Sequence, residues 1–393
     1  MKIILRKEQG SSWLALIIIL SAAVIPLYLS MFRMTIGSVN FRLADIFAIA
    51  IITLSFLIIP TSRRQLFNIR IVILYCLSAY MLFQSIINSN TFAGIKEIIQ
   101  LLFVGLFIVM NNWIISINRD RYFQYFIKIL ILSASVTVIY HLFTGDLYRY
   151  KNAGDGKYVF GLLSVVLFLA WVHSKKTIYA YYFALSIPIL LLSLERKGLF
   201  GLILVLLAFL AVITLNYLRF KVAHLVIVVL LFLFTLILFN ASNIEGFFLD
   251  KVYFDLSVDE VDALYISNVH RESLIINGMQ IFMSNIYFGV GADNIYREMA
   301  AFYIDERLAN GTHNFYLDSL IKLGAFGFLF FVALAAIAIN TAKTRAAYLF
   351  LLYLFFVCFF MSDGQSVLLL FLFSTSAGTL FPADNDKAGT VYP

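Results

Sequence analysis

The chain has 393 residues, of which 62% are hydrophobic and only 13% charged, and its mean hydropathy is +0.93. A soluble domain is nearer one half apolar and one quarter charged. These proportions exclude a disordered chain, a disulfide scaffold and an enzyme with an ordinary water-facing surface. They leave a polytopic membrane protein, because one bilayer span takes about 20 mostly apolar residues.

At the start, Lys2, Arg6 and Lys7 precede an apolar run from Trp13. In a chain this hydrophobic that run reads as an uncleaved first span, not a signal peptide. Apolar runs bounded by polar breaks then predict spans at 12–31, 44–60, 70–88, 98–117, 124–143, 158–173, 177–194, 199–216, 222–240, 319–340, 346–361 and 365–380. None alternates with period two, so the expected fold is all-α, with about twelve transmembrane helices. Cys76 and Cys358 lie inside apolar runs with no metal or redox spacing, and read as packing residues.

Lys and Arg in the loops orient the spans. With the N-terminus in the cytoplasm, the loops on that side hold 15 basic and 4 acidic residues, and the opposite loops 12 basic and 18 acidic. The basic excess is thus a topology signal and gives nucleic-acid binding no support. The predicted organisation is nine spans within 1–240, a 78-residue outer loop at 241–318, three spans within 319–380 and a disordered cytoplasmic tail at 381–393. A second outer loop, 144–157, is polar. No internal repeat and no paired broken helices of the transporter kind are visible.

Three segments hold the ionisable residues suited to chemistry. Glu195, Arg196, Lys197 and Gly198 form the tightest break between two apolar runs, and place two cations on the outer side. Charges at a membrane boundary are costly and often functional, though snorkelling side chains in an exposed turn are the plainer reading. Residues 264–283 read as an amphipathic helix, with Leu274, Ile275, Met279, Phe282 and Met283 recurring at helical spacing and His270, Arg271 and Glu272 near its start. A surface helix resting on the bilayer has the same pattern. The stretch 285–294 must turn at Gly289 and Gly291, and its GVGAD lacks the Lys and Ser/Thr of a nucleotide loop. In 311–330, His313 lies just ahead of an apolar helix, with Asn314 and Asp318 four residues apart and Gly324 and Gly327 placed for close helix packing. His313 either exchanges a proton near neutral pH or caps that helix. His270 and His313 are too few for a zinc site, so no metal or cofactor is expected.

The order of three motifs resembles the O-antigen polymerase and O-antigen ligase superfamily of bacterial membrane glycosyltransferases. They are LERKGLFGLI, then HRESLIINGMQIFMSNIYFGVGADN, then HNFYLDSLIKLGAFGFLFF, over roughly 185–340. The resemblance implies a multi-pass protein of the bacterial inner membrane with its active site facing the periplasm. It also implies a polyprenyl-diphosphate-linked sugar donor, no nucleotide sugar and no obligatory metal. Its functional arginines fall on Arg196 and Arg271, and its loop histidine on His313. The Glu-Arg-Lys cluster departs from the small polar residue that often precedes the first arginine, which opens the division of labour between Arg196 and Lys197.

The expected reaction moves a glycan from undecaprenyl diphosphate to a sugar hydroxyl. Arg196 and Arg271 are assigned to the diphosphate, whose planar recognition suits Arg. His313 is the base or the group that orients the acceptor. Lys197, His270, Asn314, Tyr316 and Asp318 are candidate substrate-binding residues. Expected partners are the undecaprenyl-diphosphate-linked oligosaccharide, the lipid bilayer, a chain-length regulator protein and a flippase. A polymerase is the favoured expectation, a ligase acting on the lipid A core the alternative, and a flippase or other transporter a lower one.

Overall fold

The computed structural model describes residues 7–28, 33–36, 39–58, 69–87, 91–144, 158–193, 196–217, 258–291, 294–303, 311–360 and 380–381. The helices are α1 (Lys7–Tyr28), α2 (Leu43–Ile58), α3 (Ile69–Ile87), α4 (Thr91–Ile117), α5 (Arg119–Thr144), α6 (Tyr158–Ser174), α7 (Thr177–Leu192), α8 (Arg196–Tyr217), α9 (Val258–Ser284), α10 (Asn294–Ala300), α11 (Phe315–Thr341) and α12 (Arg345–Cys358). The expected span 222–240, the expected span 365–380 up to residue 379, residues 145–157 of the second outer loop, residues 241–257 of the long loop and the tail from 382 lie outside the described residues.

The fold is helical, as expected, with one addition. Arg33–Ile36 (β1) and Val39–Arg42 (β2) pair antiparallel, with Ile36 opposite Val39. Each strand has four residues, too few for alternation to stand out in a sequence dominated by apolar runs.

Helix α6 is the centre of the bundle. Every residue from Val159 to Ala170 is buried, as suits a helix that is apolar all round. Helices α5, α7, α8 and α12 pack around it, and Phe168 meets Trp171, Phe183 and Phe209 within 6.2 Å between ring centres. Helices α1, α2 and α4 form a neighbouring group, with α5 against α1, and α3 packs on α4 and α11. Gly201 is where α8 meets α12: a Cβ there would lie 2.7 Å from the Tyr353 ring.

By length and composition, Arg119–Tyr140 and Phe315–Thr341 are each able to cross a membrane. Among the described residues, eight further apolar helical stretches run 10–17 residues. At about 1.5 Å per residue, such stretches fall short of a hydrocarbon layer of about 30 Å unless their polar flanks extend them. The apolar run and the helix are therefore different quantities: α4 starts at Thr91 and α5 at Arg119, each a turn or more before its apolar run.

Side-chain contacts gather the helix termini into two groups. At one end Lys197, at the start of α8, reaches Tyr158 at the start of α6 and the Phe360 carbonyl just past α12. Tyr316, at the start of α11, reaches the Phe355 carbonyl of α12. At the other end the Phe381 ring packs on Phe123, His173 and Phe350, and the Thr344 hydroxyl donates to the Phe381 carbonyl.

Candidate functional site

The first of these ends carries the candidate site. It is built from the start of α8, the middle of α9 and the loop that leads into α11.

The loop Gly311–Asn314 is tied at both sides of His313. Asp318 is buried, and its Oδ1 accepts from the Thr312 amide at 2.8 Å and the Thr312 hydroxyl at 2.7 Å. Asn314 is the N-cap of α11: its Oδ1 accepts from the Tyr316 amide at 3.0 Å and the Leu317 amide at 3.1 Å. The cap that the sequence left open between function and structure is thus occupied by Asn314, the residue type favoured there. His313 itself sits at φ 56°, the left-handed region where non-glycine residues are uncommon. A residue held there by its neighbours is a recurrent feature of functional sites.

His313 is half-buried, and burial first and the charges of Lys197, Arg271 and His270 next push its pKa down to about 4. The structure therefore brings together four of the residues that the sequence singled out. The imidazole is neutral at physiological pH because protonating it would add a charge to a partly dry, already cationic place.

Lys197 Nζ donates to the Tyr158 hydroxyl at 3.3 Å and to the Phe360 carbonyl, and lies 5.1 Å from the centre of the Tyr158 ring. Arg196 begins α8, but its side chain, like all of Glu195, lies outside the described residues. Arg271 is exposed on α9. His270 packs edge-on against Tyr303 at 5.6 Å. The Tyr303 hydroxyl also bonds Ser273 at 2.8 Å and accepts from Asn277 at 3.3 Å. Tyr316, by contrast, uses its hydroxyl on the Phe355 carbonyl at 2.9 Å and packs on Phe359 at 4.6 Å. Asn314, Tyr316 and Asp318 therefore each use a side-chain oxygen to hold the loop or the start of α11.

Helix α9 runs Val258–Ser284, longer than the predicted 264–283. Its buried stripe is Leu274, Gly278 and Ile281, which packs with Ile295, Met299, Leu317 and Ile321. Gly278 allows the approach, since a Cβ there would lie 2.5 Å from the Thr312 side chain. Ile275, Met279 and Met283, expected on the same face as Leu274, are exposed.

Next comes a break. Gly324, expected as a packing glycine, adopts φ 65° and ψ −177° and interrupts α11. Gly289 (φ 68°) crosses it, and a Cβ on Gly289 would lie 2.5 Å from the Gly324 nitrogen. The amides of Val290 and Gly291 donate to the Ile321 and Lys322 carbonyls at 2.8 and 2.9 Å. The amides of Ala325 and Phe326 donate to the Ile286 and Tyr287 carbonyls at 2.7 and 3.3 Å. The Gly289 amide donates to the Asn285 carbonyl at 2.9 Å, so all three GVG amides are taken by backbone carbonyls, two of them on α11. Gly327 packs closely as predicted, against the Tyr80 ring. Tyr80 and Gln84 of α3 reach the same place: Tyr80 donates to the Leu323 carbonyl at 2.8 Å, and Gln84 to the Phe288 carbonyl. Tyr80, Gln84, Tyr158, Thr312 and Tyr303 were all missed at the sequence level. Each acts through a partner distant in the chain or a backbone atom, which leaves no local pattern.

A bundle of apolar helices with a cationic, histidine-bearing site at one end is consistent with a polytopic membrane protein. Residues 181–332 match the family model described as O-Antigen ligase, so the resemblance to the O-antigen polymerase and ligase superfamily is supported over that stretch and with it a function of the ligase or polymerase type. The match includes Arg196, Lys197, His270, Arg271, His313, Asn314, Tyr316 and Asp318. No curated protein and no solved structure matches the chain.

Proposed function

We propose that this protein is a membrane glycosyltransferase of the O-antigen polymerase kind, joining undecaprenyl-diphosphate-linked repeat units at the periplasmic face of the inner membrane. The observation that carries this reading is the neutral His313 set among Lys197, Arg271 and His270. A leaving lipid diphosphate has about two to three negative charges, and fixed cations placed where that charge develops lower the barrier. The bond from the sugar anomeric carbon to the diphosphate oxygen breaks. A new bond forms from that carbon to the acceptor hydroxyl oxygen, and the hydroxyl proton passes to His313. The electron pair leaves with the diphosphate, which Arg271, Lys197 and Arg196 receive. The bound diphosphate offsets the cations that depress His313, so donor binding raises the basicity of the imidazole when it is needed.

The description of the family model favours a second reading, an O-antigen ligase that uses the same donor and transfers the glycan to the lipid A core. The two differ in the acceptor, so the surface polysaccharide of a deletion strain separates them. Loss of a polymerase leaves single repeats on the core, whereas loss of a ligase leaves every core bare. An unchanged ladder in a strain known to produce one would overturn both. A chain-length regulator and a flippase are the partners proposed for the polymerase reading.

A further inference from the structure

Resting on the membrane reading, the geometry points to a re-entrant element: the end of α9 and the turn after it seat in the hydrocarbon of the bilayer instead of lying in the periplasm. Four observations converge on it.

Residues 273–292 contain no Asp, Glu, Lys, Arg or His, although Glu272 and Asp293 flank them directly. This charge-free run of 20 residues lies inside a loop that elsewhere holds many charges. Most of its outward side chains are large and apolar: Met283 is 60% exposed, Tyr287 65% and Phe288 54%, and Met279 lies one turn before Met283 on the same stripe. Of the exposed Gln280 and Ser284 among them, the Ser284 hydroxyl is satisfied by the Gln280 carbonyl at 3.0 Å. In water such a patch is a liability.

The patch does not stand alone. Phe326 of α11 is exposed beside it and packs on Tyr287 at 6.0 Å and on Phe288 at 5.6 Å. Phe83 of α3 is exposed next to Gln84, which holds the Phe288 carbonyl. The turn therefore continues the outward apolar faces of two helices that the sequence reads as spans.

The backbone of the turn meets the demand that hydrocarbon imposes. Non-helical backbone is tolerated at membrane depth only where the protein satisfies it. The carbonyls of Ile286, Tyr287 and Phe288 accept from Ala325, Phe326 and Gln84, while the amides of Gly289, Val290 and Gly291 donate to the Asn285, Ile321 and Lys322 carbonyls. The break at Gly324 is closed by the same bonds. A loop in water has no need of this, since water would satisfy each group.

The experiment is a depth measurement. Cys76 and Cys358 are replaced by Ala, and a nitroxide is attached to single cysteines at Met283, Phe288, Leu329 and Arg297 in protein reconstituted into phosphatidylcholine vesicles. Collision with oxygen reports hydrocarbon and collision with a water-soluble nickel chelate reports water. Phe288 and Met283 should match Leu329, with oxygen collisions several-fold above nickel collisions, and Arg297 should show the reverse. Nickel access at Phe288 and Met283 equal to that at Arg297 overturns the inference while the membrane reading stands. Shielding from both reagents overturns it too, because a protein surface then covers the patch. Water access at Leu329 overturns the membrane reading itself. Should the Phe288 label prevent folding, Tyr287→Trp with bromine-labelled lipids gives the same answer by fluorescence quenching, without a new cysteine.

Discussion

Asp318 holds Thr312 by two bonds that arch over His313, one from the Thr312 amide at 2.8 Å and one from its hydroxyl at 2.7 Å. Together with the Asn314 cap, they fix the backbone on both sides of His313 and keep it at φ 56°. A buried carboxylate is retained for a pair of neutral donors on the far side of one residue, so the loop is built around that residue.

The frame has a stability consequence. Asp318→Leu leaves two buried donors of Thr312 unsatisfied and should cost about 1–3 kcal/mol, with Thr312→Val costing less because the amide bond remains. Asn314→Ala should cost about 0.5–2 kcal/mol and Asn314→Asp much less. Thermal unfolding of the detergent-solubilised variants orders them. Equal unfolding temperatures for Asp318→Leu and the parent would contradict the arrangement.

His313 allows function to be separated from fold. Asn tolerates the left-handed backbone and so preserves the loop, but does not take a proton near neutral pH. His313→Asn should therefore be abundant in the membrane and lose polymer by about 10²-fold or more. Because Asn314 carries the cap, His313→Ala should leave the start of α11 in place. Near-normal polymer from His313→Asn would move the base elsewhere, with His270 examined first.

The pH dependence follows from the depressed pKa. His313 in the free protein should stay neutral down to about pH 4, so the acid limb of kcat/KM attributable to it lies near 4, not near the ordinary 6.5. Arg271→Ala removes a cation that disfavours protonation, so any residual activity should show that limb shifted upward. For stability, the unfolded chain takes up the proton first as pH falls, so His313 increasingly destabilises the fold from about pH 6.5 down to about 4 and adds no pH dependence above that range.

The cations are distinguished by substitution. Arg271→Ala and Arg196→Ala should each abolish polymer at normal abundance, and Lys at either position should restore only part, since it lacks the planar fork. Lys197→Met breaks the bonds to Tyr158 and the Phe360 carbonyl, so it should lower abundance as well as product. Polymer quantified against protein level reads both effects. Full activity in both arginine variants would contradict their role.

The order of the helices was legible in the sequence where apolar runs are long. The run 158–173 became Tyr158–Ser174, and 319–340 lies within Phe315–Thr341. The break at Gly324 was not legible, because one glycine in an apolar run reads the same whether it packs or interrupts. Its partner Gly289 lies 35 residues earlier, and only their crossing reveals the role. Lys197 and His313 were found by their place at a membrane boundary and His270 and Arg271 near the start of an amphipathic helix, and the structure brings the four together. Which of His313 and Asn314 caps α11 depends on a single backbone torsion, which adjacent polar residues do not reveal. Tyr303 and Tyr158 were missed because tyrosines are abundant here and only their distant partners mark them.

At the crossing, Gly289→Ala and Gly324→Ala force a side chain into φ above +60° and against the backbone of the other segment. The torsion alone costs about 1–2 kcal/mol, and the clash adds to it. Both variants should be poorly abundant, whereas Gly105→Ala, whose nearest neighbours would stand 3.6 Å or more away, should be tolerated. Protein level in membranes, with Gly105→Ala as the reference, decides it.

The central claim is glycosyl transfer from a lipid diphosphate at the His313 site. It is tested most directly by reconstituting the purified protein with undecaprenyl-diphosphate-linked repeat units in the presence of a chelator, and resolving the lipid-linked products by length. Parent protein should produce a ladder of lengthened lipid-linked glycans with release of undecaprenyl diphosphate, and His313→Asn at equal amount should produce none. No lengthening by the parent, with or without lipid A core added as acceptor, or an equal ladder from His313→Asn, would contradict the account.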